Sequence, residues 1–361
     1  MNSPLKVGVV GMGGIGHTHC RCYKNDALAE LICVCDLIKE KADQAAEEFG
    51  VEAFYSVKEM LSAHPELDIV DVTTSGYENG SWHYVPAMEA LDAGKNVLVE
   101  KPISNEVTEA REMVAFAAEK DVYLGCNLNH YFTQPAERAM KYMDDGEIGQ
   151  QIHCINKVGF DGSEMGYGAP DKLSRWQRPY SHAKAFLIHP FSVMRYFCGN
   201  VTHIQAFMDR PNSRSKAGDL MLSIQSIHMK FENGCIGYLL SQRGDAAFGL
   251  GGWWSFELAG TRGTFVIENC VEKLTYFQAG KAPEVMDTGI KDFGATFPNR
   301  IHAYLEDVTN QVPKDYLRSS GRDALACLEY IFAAIDSYES GGEIVRPHPL
   351  PPMHGDPHII H

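Results

Sequence analysis

LKVGVVGMGGIGHTH, residues 5–19, is the stretch that decides the fold. Its first six residues form a short, β-branched-rich run, and the run stops at Gly11-Met12-Gly13-Gly14-Ile15-Gly16. A helical pattern follows, so the G-x-G-x-x-G spacing stands between a strand and a helix, as the dinucleotide fingerprint requires. Gly11 permits the tight turn, Gly13 lets backbone N–H groups approach a pyrophosphate, and Gly16 lets helix and strand pack closely. Gly14 and Ile15 open the helix, whose unpaired N–H groups and positive dipole end face the phosphates.

A second apolar run, LICVC (31–35), ends at Asp36, about 20 residues beyond the last glycine, where a ribose-binding acid belongs. Asp36 accepts hydrogen bonds from ribose hydroxyls and repels a 2′-phosphate; Leu37 and Ile38 supply no arginine to favour NADP, so the expected cofactor is NAD. Asp36 also suits the N-cap of a helix starting near Lys39. Strand-like LDIVDV (67–72), NVLVE (96–100) and VYLGCN (122–127) then alternate with helical AMEALDAG (87–94) and AREMVAFAAEK (110–120). This alternation predicts a doubly wound parallel sheet, whose ligands lie beyond the carboxyl ends of the strands. Thr73, Thr74, Glu100, Lys101 and Asn127 fall there, and the connection TSGYENGSWHY (74–84) adds Tyr77, Glu78, Trp82 and His83. Thr73, Thr74, His83, Glu100, Lys101 and Asn127 are taken as cofactor-edge residues.

The totals agree with a two-domain globular enzyme. The chain has 361 residues, 45% hydrophobic and 22% charged, with no apolar run of membrane-spanning length. Thirty-two basic against 47 acidic residues leave a net charge of −15, which disfavours nucleic acid and anionic membrane as partners and suits a soluble cytoplasmic protein. Ten cysteines include no C-x-x-C pair, so reduced, buried thiols are expected and no metal site.

From about Gln150 the pattern changes to β-rich segments: QQIHCINKVGF, MLSIQSIHMKFENGCIGYLLSQR, WWSFELAGTRGTFVIEN and KLTYFQAG, separated by Gly or Asn turns. They predict meandering antiparallel strands, with Asn233-Gly234 in a type I′ hairpin turn. Helices are expected around 300–311 and 321–339. An aperiodic segment before Phe186 reads as a pocket-lining loop whose Arg175, Trp176, Arg178 and Tyr180 can bind and stack on a ligand. FLIHPFSVMRYFCG (186–199) reads as a buried helix carrying His189, with His182 two turns earlier on the same face. The expected organisation is an NAD-binding Rossmann domain (1–127), a second α/β domain (128–345) and an extended arm (346–361).

Glu100-Lys101-Pro102 holds the clearest chemistry. Pro102 keeps Lys101 extended at the ligand edge, where its ammonium can hydrogen-bond a hydroxyl and stabilise alkoxide character as hydride leaves. Histidine, with a free pKa near neutrality, can take the hydroxyl proton.

GMGGIGHTH (11–19), ALDAGKNVLVEKPIS (90–104) and GRDALACLEYIFAAIDSYESG (321–341) together resemble the glucose–fructose oxidoreductase, inositol dehydrogenase and rhizopine catabolism (Gfo/Idh/MocA) family through nearly the whole chain. The resemblance implies that the second domain is built on a large, mostly antiparallel open sheet and serves substrate binding and oligomerisation; it also implies a cis Lys101–Pro102 peptide, an active site between the domains, C-terminal helices beside the Rossmann domain, and a homo-oligomer. It implies Lys101 and His189 as catalytic residues, with His182 a further substrate contact. It also exposes a departure: the family's aspartate four residues before the histidine is Ala185 here. The implied substrate is a sugar or glycoside. The long 74–84 connection and Ala185 lean toward oxidation of a glucoside at C3, to a 3-keto-glycoside that a separate bond-cleaving enzyme would consume. The alternatives are an inositol or free-sugar dehydrogenase, an NAD-dependent glycoside-cleaving lyase or hydrolase, and a non-catalytic NAD sensor. The proline- and histidine-rich arm is read as docking on a neighbouring subunit rather than binding metal.

Overall fold

In the computed structural model, described over residues 3–76, 80–160, 180–209, 222, 224–243 and 253–352, β1 (Leu5–Val10) runs into the glycine turn and α1 (Gly14–Lys24). The strands β2 (Ala29–Cys35), β3 (Glu52–Phe54), β4 (Ile69–Val72), β5 (Asn96–Val99) and β6 (Leu124–Cys126) complete a six-stranded sheet of order β3-β2-β1-β4-β5-β6. Every pairing in it is parallel. The sequence periodicity passes over β3 and α3 (Val57–Ala63), because three residues carry no readable alternation. The start of α3 is nonetheless written as Ser56-x-x-Glu59, and the Ser56 hydroxyl accepts the Glu59 N–H. The helices α2 (Lys39–Phe49), α4 (Tyr84–Asp92) and α5 (Val107–Glu119) provide the crossovers, and α6 (Gln134–Asp144) follows β6 in the chain.

The chain divides into two compact units. One comprises residues up to Leu128 together with Phe297–Leu325 and the stretch from Leu350; the other comprises Asn129–Thr296 with Ala326–Pro349. In the first, α9 (Thr296–Thr309) sends Ile301, Tyr304, Leu305 and Val308 into one buried cluster with Val7, Val9, Ile69 and Leu98. The Arg300 guanidinium donates to the Cys126 carbonyl (3.1 Å) and the Ser319 carbonyl (3.1 Å), fixing the end of β6 one residue before Asn127.

The second unit is built on eight strands: β7 (Gln151–Phe160), β8 (Val201–Asp209), β9 (Ile224–Phe231), β10 (Ile236–Arg243), β11 (Trp254–Gly260), β12 (Gly263–Glu268), β13 (Lys273–Gln278) and β14 (Glu284–Asp287). Their order is β14-β13-β12-β11-β7-β10-β9-β8; β7 pairs parallel with β10, and the other neighbours are antiparallel. β14 is an exposed edge strand, so it has no buried face for a sequence pattern to betray.

Two local expectations need correction. The β9–β10 turn is not type I′: Gly234 has φ +90°, whereas Asn233 is absent from the positive-φ residues. The Asn233 side-chain oxygen instead accepts the Cys235 N–H, and the Phe231 N–H reaches the Cys235 carbonyl, giving a three-residue loop with its glycine last. The helix expected over 186–199 is present as α8 (Ile188–Cys198), stopped at Gly199, but His182 is not on its face: it stands on a separate preceding helix, α7 (Ser181–Phe186). Pro190 lacks the N–H that would continue the ladder to Phe186, so it sits in the first turn of a new helix, where that group needs no helical partner.

The arm begins tied to its own chain: Val345 pairs with Ile204, and Arg322 Nε donates to the Pro351 carbonyl. Among the described residues no helix is long and apolar enough to cross a membrane.

Candidate active site

The sheet reverses its winding between β1 and β4, and Gly11 and Thr73 follow those two strands directly. A Cβ on Gly16 would lie 2.0 Å from the Gly11 carbonyl oxygen, so the third glycine is imposed by the turn pressing on α1. A Cβ on Gly11, whose φ is +102°, would meet the Thr74 backbone nitrogen at 2.6 Å. At Gly13 and Gly14, by contrast, nothing lies within 4 Å, which leaves room for a pyrophosphate against the backbone N–H groups. Thr73 is structural in part: its hydroxyl is 2.7 Å from the Gly11 carbonyl and 3.1 Å from that of Val10.

Asp36 is not the N-cap expected of it: Ile38 holds that position in α2 without a side-chain cap bond, and Asp36 lies two residues earlier. One carboxylate oxygen accepts the Met12 N–H at 2.7 Å and the other the Ile38 N–H at 2.8 Å, tying the glycine turn to the start of α2. Each oxygen keeps acceptor capacity for a ribose hydroxyl. Around it stand exposed apolar side chains: Leu37 is 85% exposed, Ile38 49% and Ile15 42%. Open space at the glycines, a paired carboxylate and an apolar rim fit a dinucleotide whose adenosine lacks a 2′-phosphate.

The Lys101–Pro102 peptide is cis. Its surroundings explain residues that sequence alone placed at the cofactor edge. His83 is buried, with Nδ1 at 2.7 Å from the Pro102 carbonyl and Nε2 at 2.5 Å from the Thr74 carbonyl. Burial pushes its pKa down despite both carbonyls. It therefore braces the Glu100–Pro102 segment from the β4 loop, and Gly80 lies against the Pro102 ring on the same side. The Thr74 hydroxyl donates to the Trp82 carbonyl.

Glu100 is buried, and both its oxygens are occupied within the protein. One oxygen accepts from the Asn127 amide and faces His19 Nε2 at 3.2 Å; the other accepts the Lys101 N–H at 3.0 Å. His19, on α1 one turn beyond Gly16, has Nδ1 at 2.7 Å from Asp71, and the Tyr23 hydroxyl donates to that same oxygen at 2.8 Å. Burial alone would lower the pKa of His19, yet the Asp71 and Glu100 carboxylates outweigh it and raise the value to about 10. Burial would raise that of Glu100, but His19, Lys101 and Asn127 hold it down at about 2. An imidazolium thus lies between two carboxylates under the residue that precedes Lys101. The sequence reading missed His19, Asp71 and Tyr23. The available signal was Asp71, an acid inside the apolar strand LDIVDV, which demands a buried partner.

In the second unit His189 is buried near the start of α8. Its ring lies 3.7 Å, centroid to centroid, from that of His130, which in turn packs on Phe293 at 4.5 Å. His130, in the 3₁₀ turn Asn129–Tyr131, was not anticipated. His182 sits on α7 with Nε2 3.0 Å from the Ser241 hydroxyl and its ring on Phe186, while Ala185 is buried. The Tyr180 hydroxyl donates to the Glu339 carboxylate at 2.5 Å. Arg175, Trp176 and Arg178, like Tyr77 and Glu78, lie outside the described residues.

All ten cysteines are free, and nine are buried. Cys154, Cys198 and Cys235 bring their sulfurs within 4.8 Å of one another, the one group among the described residues with metal-ligand spacing. Their thiols hydrogen-bond one another, and Cys154 and Cys198 hold the Cys235 pKa down at about 4.

Residues 5–128 match the family model described as "Oxidoreductase family, NAD-binding Rossmann fold", and residues 136–266 match the "GFO/IDH/MocA C-terminal domain". The myo-inositol 2-dehydrogenase of Thermotoga maritima is 23% identical over 342 residues, covering 93% of this chain and 96% of that protein. The D-glucoside 3-dehydrogenase of Escherichia coli is 28% identical over 152 residues, 41% of this chain and 42% of that one. Among solved structures, a levoglucosan dehydrogenase in complex with NADH and levoglucosan superposes with a TM-score of 0.81 at 20% identity, covering 96% of this chain and 99% of that one.

Proposed function

The chain belongs to the Gfo/Idh/MocA oxidoreductase family, and from that premise we propose that it oxidises a ring carbinol of a glycoside, C3 of a glucoside foremost. The broader class is an NAD-dependent oxidoreductase acting on CH–OH groups of sugars or polyols. Bound NAD⁺ supplies the hydride acceptor.

The chain's own residues do the rest. The N–H groups at Gly13 and Gly14 and the positive end of α1 hold the pyrophosphate, and Asp36 holds the ribose. Lys101 donates a hydrogen bond to the substrate oxygen and stabilises its growing negative charge. His189 accepts the hydroxyl proton on its imidazole and returns it in the reverse reaction. The observation that carries this reading is the placing of Lys101: it follows β5 at the ligand edge, and its backbone is fixed by a carboxylate that is itself locked to a buried imidazolium. The glucoside preference is supported by the β4 loop, where Trp82 leaves 60% of its surface exposed to stack on an aglycone, and by the likeness to D-glucoside 3-dehydrogenase.

The test is NADH formation with alkyl and aryl glucosides, free sugars and inositols as separate substrates, for the wild type, Lys101→Ala and His189→Ala. Glucosides are expected to support turnover, and each variant to lose about 10²–10⁴-fold in kcat while still binding NADH. Turnover of inositols with no glucoside oxidised would remove the substrate assignment. Retained activity in both variants would remove the residue roles.

A further inference from the structure

The His19–Asp71–Glu100 cluster joins two functional segments. His19 lies on the helix that begins at the glycine loop, three residues beyond Gly16; Glu100 directly precedes Lys101. Between them run His19 Nε2 to Glu100, the Asn127 amide to the same oxygen, and the other Glu100 oxygen to the Lys101 N–H. On the far side, Asp71 takes His19 Nδ1 and the Tyr23 hydroxyl. His19 and Asp71 are fully buried and Glu100 and Asn127 nearly so, so water does not compete for these bonds. With Lys101 counted, two cations and two carboxylates alternate, which balances charge that would otherwise be costly to bury.

Resting on the oxidoreductase reading above, we infer that His19 is a positioning residue, acting through Glu100 to fix the backbone of Lys101 relative to the cofactor helix. It touches neither substrate nor reacting atoms. Its effect is geometric: Glu100 has one oxygen for His19 and Asn127 and one for the Lys101 N–H, so rotation of the carboxylate toward either partner releases the other. Misplacing a catalytic group by about 1 Å can cost about 10²-fold in rate. A buried imidazolium, with one nitrogen for each carboxylate, holds that carboxylate at the correct angle.

The two ring nitrogens make the claim separable from stability. His19→Gln retains a donor near the Nε2 position and can still serve Glu100; His19→Asn retains one near Nδ1 and serves Asp71 instead. Both remove the buried cation, so both are expected to lower the thermal midpoint by similar amounts. The expected split is in kcat. His19→Asn falls about 10²-fold, His19→Gln stays within about threefold of wild type, and KM for NAD changes little in either. As a readout independent of turnover, lysines are reductively methylated with ¹³C and the Lys101 resonance is assigned from Lys101→Arg. That resonance is expected to shift in His19→Asn and to stay near its wild-type position in His19→Gln. Equal kcat values and equal resonance positions in the two variants would overturn the inference. A wild type that oxidises no sugar or polyol would instead overturn the oxidoreductase reading, with the resonance still reporting on His19.

Discussion

Asp36→Asn separates what the carboxylate does for the fold from what it does for the cofactor. Asparagine offers one acceptor oxygen where aspartate offers two, so it can keep either the Met12 N–H or the Ile38 N–H. Met12 is buried and Ile38 is half exposed. The favoured arrangement keeps the 2.7 Å bond to Met12 and leaves Ile38 to water, at a cost to stability of about 1 kcal/mol or less. The cofactor loses more. A hydrogen bond between an ionised carboxylate and a ribose hydroxyl contributes about 1.5–3 kcal/mol, which corresponds to a rise in the dissociation constant for NADH of roughly 10- to 150-fold. The charge that repels a 2′-phosphate goes as well, so the preference for NAD over NADP should narrow from both sides. Thermal unfolding without cofactor, and fluorescence titration with NADH and NADPH, measure the two effects separately. An unchanged NADH affinity would refute the ribose role. A large fall in midpoint with unchanged affinity would make Asp36 only a tie between the glycine turn and the start of α2.

Further outcomes follow from the same geometry. Gly16→Ala places a Cβ 2.0 Å from the Gly11 carbonyl oxygen and 2.9 Å from the Thr73 hydroxyl, so the loop must move; NADH titration should show at least about tenfold weaker binding, and unchanged binding would mean the turn yields freely. The stability contributed by His19, whose pKa rises from 6.5 to about 10, is complete below about pH 6.5 and is lost as pH climbs through 10. That contributed by Glu100, lowered from 4.5 to about 2, is complete above about pH 4.5 and is lost as pH falls through 2. A plot of thermal midpoint against pH should therefore decline on both sides of that window, and His19→Gln should flatten the alkaline side; parallel curves would contradict the buried imidazolium.

The first unit was legible because its determinants are local. Glycines at fixed spacing, β-branched runs and an acid after the second strand each depend on a few neighbouring residues. The sheet of the second unit was legible as strands, but the parallel pairing of β7 with β10 joins residues about 80 apart and leaves no local trace. β8 and β14 escaped for different reasons: a bulge between Val201 and His203 sets Thr202 and His203 side by side and breaks the alternation at the start of β8, and β14 is exposed at the edge. At the site, Lys101 and Asp36 were visible from their positions after strands. Glu100, His83 and Asn127 were found as residues, but their contacts were not, since each turns toward a group distant in sequence. His19 stood inside the quoted motif and carried no sign of its partners, which lie 52 and 81 residues away.

The most direct measurement of the central claim uses a glucoside carrying deuterium at C3. The account predicts that deuterium appears on the reduced nicotinamide, that the glycoside emerges as the 3-ketone without it, and that both products form about 10²–10⁴-fold more slowly with Lys101→Ala. Deuterium retained at C3 of a recovered product, or NADH formed without label, would contradict hydride transfer from that carbon.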